Sequence, residues 1–223
     1  MRFFKKISLS FFVAAFVTLS MNAQQYLDSE YIKVTEERAS KIVDELKLAD
    51  AEKAQKVTGI IAKQYQNLSK IHDEKDAKIE AIKASDETKE KQNAKIDKVK
   101  TKADKLIAKL HKSYIKQLSE NLTSENIDAV KDGMTYGVVP KTFFAFKDMI
   151  PSLTEAQKKY IYDNLVEARE HAMDAGTSKD KHAWFGKYKG RINNYLSAQG
   201  YDLEKERDGW YERIEARKKN ESK

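Results

Sequence analysis

Between Gly59 and Gly133 the chain contains neither glycine nor proline, and the whole sequence holds only two prolines, Pro140 and Pro151, and eight glycines. Those two residue types are the ones that end helices, by removing the amide donor or by conformational freedom. A stretch of more than seventy residues without either one therefore permits helices far longer than the usual three turns. The apolar residues within and before it are spaced for that use. From Ser29 to Leu46, Ile32, Ala39, Ile42, Val43 and Leu46 fall on one helical stripe, and Leu48-Ala49-Asp50 supplies a break with a new N-cap. From about Asp50 into the eighties, Val57, Ile61, Leu68, Ile71, Ile79 and Ile82 recur mostly by threes, fours and sevens, with Lys, Asp and Glu on the other faces.

Apolar content then nearly vanishes between Lys83 and Lys95, before Ile96, Val99, Ala103, Leu106 and Leu110 resume three-four spacing with Ile107, Tyr114 and Leu118 beside them. Two amphipathic stripes flanking a polar tip predict a long antiparallel helical hairpin. One continuous helix through the tip is the alternative, because nothing in it is a strong breaker. Exposed stripes of this kind also suit a homodimer through a coiled coil.

At Leu122 the character changes to shorter, more aromatic and more punctuated segments. Thr123 is placed to cap a helix through Lys131, Gly133 and Gly137 to mark turns, and Pro140 to open a helix carrying Phe143, Phe144 and Phe146 that Pro151 closes. Thr154 and Gln157 form a capping-box pattern ahead of Tyr160, Ile161, Leu165, Ala168 and Ala172, in a helix ending at Gly176. Ser178 is expected to cap the next helix, with Trp184, Tyr188, Ile192, Tyr195 and Leu196 on it; Gly200 ends it, and Asp202 starts a last one. No strand-like alternation longer than a few residues is present. The expected fold is all-α, a long antiparallel helical hairpin over residues 24–121 plus a C-terminal bundle of shorter helices over 122–223.

The first residues read differently. Arg2, Lys5 and Lys6 precede an uncharged run from Ile7 to Met21, and Asn22-Ala23-Gln24 offers a cleavage site after Ala23. That is the layout of a secretory signal over residues 1–23. The run is shorter than the roughly 20 apolar residues that span a bilayer, so the expectation is export to the periplasm or cell exterior with no stable membrane insertion after cleavage. With no cysteine in the chain, neither a lipid anchor nor a disulfide framework is available. The formal charge is +7, but three positives lie in the first six residues, and the remaining excess of four is interspersed with acids along the helices. Such a distribution is a solvated helical surface and not a nucleic-acid footprint.

No residues announce catalysis. The chain lacks Gly-x-Ser-x-Gly and cysteine, and none of its four histidines stands in a sequence context that suggests a Ser or Thr partner. Glu167, Glu170, His171 and Asp174 lie at helical spacings that can converge on an ion, which makes His171 and Asp174 weak metal candidates. Arg169 stands among them and no His-Glu-x-x-His pattern occurs, so no metal and no cofactor is expected. The stretch from Glu170 to Trp210 is the most informative, mixing aromatic rings with hydrogen-bonding side chains. Sugars make the matching demand, C–H patches for aromatic faces and hydroxyls for polar partners. Trp184, Tyr188, Arg191, Asn194 and His182 are therefore the candidate carbohydrate-binding residues. The competing reading places Trp184, Tyr188 and Tyr195 in the core. Leu122-Thr123-Ser124-Glu125-Asn126 and Leu153-Thr154-Glu155-Ala156-Gln157 echo each other and resemble the paired Leu-Thr-x-x-Gln motifs of small helical periplasmic chaperones; both also read as ordinary helix caps.

Two longer strings, DGMTYGVV from Asp132 and AREHAMDAGTSKDKHAWFGKYKGRINNYLSAQGYDL from Ala168 to Leu203, resemble an uncharacterised family of secreted helical proteins from Bacteroidetes, a domain of unknown function described as sugar-binding. The resemblance covers nearly all of the chain after the signal. It implies a periplasmic or surface role beside polysaccharide breakdown, with a site on the two strings, and carries no catalytic residues. The expected function is noncatalytic carbohydrate binding; a helical chaperone or scaffold, and an enzyme acting on pectic oligosaccharides, are the alternatives.

Overall fold

A computed structural model describes residues 29–221, so the expected signal segment and its cleavage site lie outside the described residues. Among the described residues there are eight helices and no strand: α1 over 29–46, α2 Ala51–Lys83, α3 Lys89–Ser119, α4 Ser124–Met134, α5 Val138–Met149, α6 Glu155–Met173, α7 Ser178–Ala198 and α8 Leu203–Glu221. The chain is all-α, as the spacing predicts.

The polar tip breaks into a turn. Thr88 caps α3 by accepting from the Lys91 amide, and the buried Gln92 donates its amide nitrogen to the Ser85 carbonyl at 2.9 Å and to that of Lys83 at 3.4 Å. The Lys83 carbonyl is one that α2 leaves unpaired at its end and the Ser85 carbonyl lies in the turn beyond it, so the two bonds close the hairpin where a continuous helix was the alternative. Each arm, at 33 and 31 residues, is roughly 50 Å long at 1.5 Å per residue.

Two compact units divide the described residues, the first ending at Gln66 and the second beginning at Asn67. This boundary lies inside α2. Within the first unit, α1 ends at Lys47 in the left-handed region (φ 51°), Asp50 caps α2 through the Lys53 amide at 3.0 Å, and Gln66 donates to Thr35 Oγ1 at 3.0 Å. Ala39, Ile42, Val43, Val57, Ile61 and Ala62 are buried there.

In the second unit α6 is central, with α4, α5 and α7 packed against it. Ile161, Leu165, Ala168 and Ala172 of α6 meet Val139 and Phe146 of α5 and Phe185, Tyr188, Ile192 and Leu196 of α7 in one cluster. Full burial of each larger apolar side chain contributes about 1.5–3 kcal/mol, which makes this the main store of stability. The box at the start of α6 is complete: Gln157 donates its amide to Thr154 Oγ1 and accepts from the Thr154 amide at 2.9 Å. Thr123 caps α4 in the same way through the Asn126 amide. Capping therefore accounts for both Leu-Thr strings. Two expected boundaries move: Thr177, not Ser178, caps α7, and Gly133 lies inside α4, with the turn following at Thr135 to Gly137. The helix α8 is pinned to the end of α5, where Arg213 donates to the Asp148 and Met149 carbonyls and Trp210 donates its indole N–H to Asp148 at 2.7 Å.

Candidate functional site

The α6–α7 junction places backbone and side chains of three elements together. Thr177 accepts from the Asp180 amide at 3.1 Å and donates to its carboxylate at 2.6 Å, so the first turn of α7 is fixed with Asp180 outward. Asp180, Ala183, Trp184 and Lys187 then follow at helical spacing on one face. Opposite them stand His72 and Lys75 of α2, one turn apart, and Ala175 with Gly176 forms the floor. Together these eight residues line a groove of about 460 Å³.

His72 is held at both nitrogens, with Nε2 at 2.9 Å from the Asp174 carbonyl and Nδ1 at 3.2 Å from Lys75 Nζ. A carbonyl only accepts and an ammonium only donates, so these partners select the tautomer with its proton on Nε2. The ring lies so close to the junction that a Cβ on residue 176 would fall 2.7 Å from His72 Cγ. Gly176 is required by that approach, its φ not being positive.

Beyond the groove an aromatic ridge runs along α6 and α7. The Trp184 ring stacks on His171 (centroids 4.3 Å apart, planes at 15°), and Lys187 Nζ sits 5.0 Å from the Trp184 centroid. Tyr188 is buried below and donates its hydroxyl to Glu167 at 2.8 Å; burial, then that carboxylate, push its phenol pKa up. Arg191 lies over the Tyr188 ring at 4.4 Å and reaches Glu167 at 3.3 Å.

Behind the junction lies a network of charges. The Asp174 carboxylate bonds His111 Nδ1 of α3 at 2.7 Å, and this bond holds the imidazole pKa above its usual value against the burial that opposes it. Glu170 accepts from Lys131 of α4 at 2.9 Å. Arg169, only 2% exposed, bonds Asp128 at 2.5 Å and Asp132 at 2.9 Å, both on α4. Burial alone would lower the guanidinium pKa, but the two carboxylates outweigh it and hold it above its usual value.

Of the five residues singled out from sequence, the structure brings Trp184, Tyr188 and Arg191 into one ridge, with Tyr188 a core residue as well. Asn194 is exposed beyond it. His182 lies elsewhere: two residues before Trp184 is 200° around a helix, and its ring stacks on Tyr136 of the α4–α5 turn at 5.5 Å. The weak metal candidates are also separated, His171 stacking on Trp184 while Asp174 turns inward to His111. Among the described residues no three His, Asp or Glu side chains converge on a metal site. Sequence reasoning missed His72, Lys75 and Asp180. Only Asp180 carried a local signal, its place three residues after a capping threonine.

Fold and groove together define an all-α protein with a surface groove of the size that takes small ligands, roughly 300–1,000 Å³. The chain belongs to the family described as Protein of unknown function (DUF3826), which matches residues 32–216. No curated protein matches it.

Proposed function

We propose that this protein is exported and binds carbohydrate without breaking it down, as an accessory to polysaccharide utilisation in the periplasm or at the exterior of a Bacteroidetes cell. The observation that carries the reading is Trp184 in the wall of the groove. A flat apolar ring there lines a site that also holds four hydrogen-bonding side chains, His72, Lys75, Asp180 and Lys187. A sugar has both surfaces that such a wall requires, C–H patches for the indole and hydroxyls for the polar rim. Stacking on His171 and the neighbouring Lys187 hold the indole in place before a ligand arrives, which lowers the ordering cost of binding. Arg191 and Asn194 extend the same side of α7 for a longer oligosaccharide; His182 contributes to a different surface.

The test is a glycan screen of the protein starting at Gln24, followed by calorimetry on each ligand found. Trp184→Ala is expected to weaken binding at least tenfold, about 1.4 kcal/mol, while circular dichroism keeps its helical signal. Unchanged affinity in Trp184→Ala sinks the site, and shorter oligosaccharides appearing on chromatography overturn binding without catalysis.

A further inference from the structure

A second groove lies on the hairpin arms, lined from α2 by Ile71, Glu74, Lys75 and Lys78 and from α3 by Lys98, Val99, Lys102, Ala103 and Leu106, with a volume of about 430 Å³. Its apolar lining is Ile71, Val99, Ala103 and Leu106, and Leu106 remains 45% exposed although it belongs to the hairpin's own seam. The two arms therefore leave part of their facing stripes uncovered.

The rim is strongly cationic. Four lysines and one glutamate line the groove. Lys75 is paired with Asp76 at 3.2 Å and Lys78 with Glu74 at 3.6 Å, whereas Lys98 and Lys102 form no ion pair among the described residues. The acids nearest to them in sequence, Asp97 and Asp104, do not line the groove. Lys98 and Lys102 stand four residues apart, where like charges on a helix repel each other. An anion between them relieves that repulsion.

Size selects the occupant. The lined part of α3, Lys98 to Leu106, is roughly 12 Å long at 1.5 Å per residue. That is shorter than a docking helix of three turns or more, and the volume is that of a small-molecule site. We infer that the hairpin groove binds a free long-chain carboxylate, its alkyl chain on Ile71, Val99, Ala103 and Leu106 and its headgroup between Lys98 and Lys102. The two grooves share Lys75, but Lys98 and Lys102 line only this one, and the proposal does not rest on carbohydrate binding at Trp184.

Calorimetry of the purified protein with octanoate and decanoate, below their micelle concentrations, tests it. One site is expected, tightening roughly fourfold for each methylene added, as burial of a CH₂ predicts. Decyl maltoside and decyltrimethylammonium, of equal chain length, should bind at least tenfold more weakly than decanoate. Lys98→Glu with Lys102→Glu should weaken decanoate at least tenfold, and Leu106→Ser, at an exposed position, should weaken it without loss of helical signal. Equal binding of the three headgroups, no dependence on chain length, or variants that bind as well as the parent would each overturn the assignment. So would binding only to anionic lipid vesicles or only to an acidic peptide.

Discussion

Replacing Gly176 by alanine should destabilise the protein for a reason that lies on another helix. The φ of residue 176 suits any L-residue, so in open space the substitution would stabilise by about 0.4–1 kcal/mol through the entropy of the unfolded chain. The added Cβ, however, falls 2.7 Å from His72 Cγ and 3.0 Å from both Cδ2 and Nδ1. His72 cannot retreat without loosening its bond to the Asp174 carbonyl and the one from Lys75. Each such bond is worth about 0.5–1.5 kcal/mol net, so losing both costs about 1–3 kcal/mol, in the range measured for overpacking. After the entropic gain of about 0.4–1 kcal/mol, Gly176→Ala should cost up to about 2.6 kcal/mol, with a central value of about 1.3. In a His72→Ala background the obstacle is absent, and the same change should stabilise by about 0.4–1 kcal/mol. The assay is thermal unfolding of the four proteins of this cycle, followed by circular dichroism. At about 2–4 °C per kcal/mol for a chain of this size, the melting point should fall in one background and rise in the other. A loss of the same size in both would show that the imidazole is not what excludes the side chain.

Two further substitutions probe the charge network. Arg169→Met should cost about 2–3 kcal/mol, at or below the lower end for a broken buried pair, because the carboxylates left behind are accessible to water, Asp128 at 53% and Asp132 at 26% side-chain exposure. Asp128→Asn should cost less than about 1 kcal/mol, as for other exposed pairs; urea midpoints that reverse this order would refute the account. For His111, whose folded pKa is raised by the bond to Asp174, the contribution to stability is fully present below the unfolded value of 6.5 and is lost as pH rises through the folded value. The stability difference between the parent and His111→Asn should therefore shrink as pH rises above 6.5, and a difference independent of pH would contradict the ion pair.

What could be read in the sequence was local. Thr123, the Thr154–Gln157 box and the Asp50 and Asp202 caps act within one turn of their own helix, so their meaning does not depend on the rest of the fold. The stripe on α7 was legible for the same reason, since Trp184, Tyr188 and Arg191 are spaced to share a face. His182 was grouped with them by residue type, although its two-residue offset from Trp184 already placed it on the other side. The groove's second wall was not legible, because nothing near His72 and Lys75 says which turn of a long arm meets a junction about a hundred residues later.

Arg169 shows how the same ambiguity can be resolved by its partners. Beside Glu170 and His171 it counted against a metal, but its role is set by Asp128 and Asp132, four residues apart on α4 and so on one face. The last turns of α6 thus separate two kinds of surface. Arg169, Glu170 and Asp174 turn toward α3 and α4, while Glu167 and His171 turn toward the ridge on α7. Asp174 belongs to both, because its carboxylate holds His111 in the network while its carbonyl holds His72 at the wall of the groove. Its other carboxylate oxygen, Oδ1, is buried and has no hydrogen-bond partner among the described residues. The position of the groove wall is thereby inherited from the Asp174–His111 pair behind it, which is why a site open to solvent depends on a partly buried ion pair on its far side.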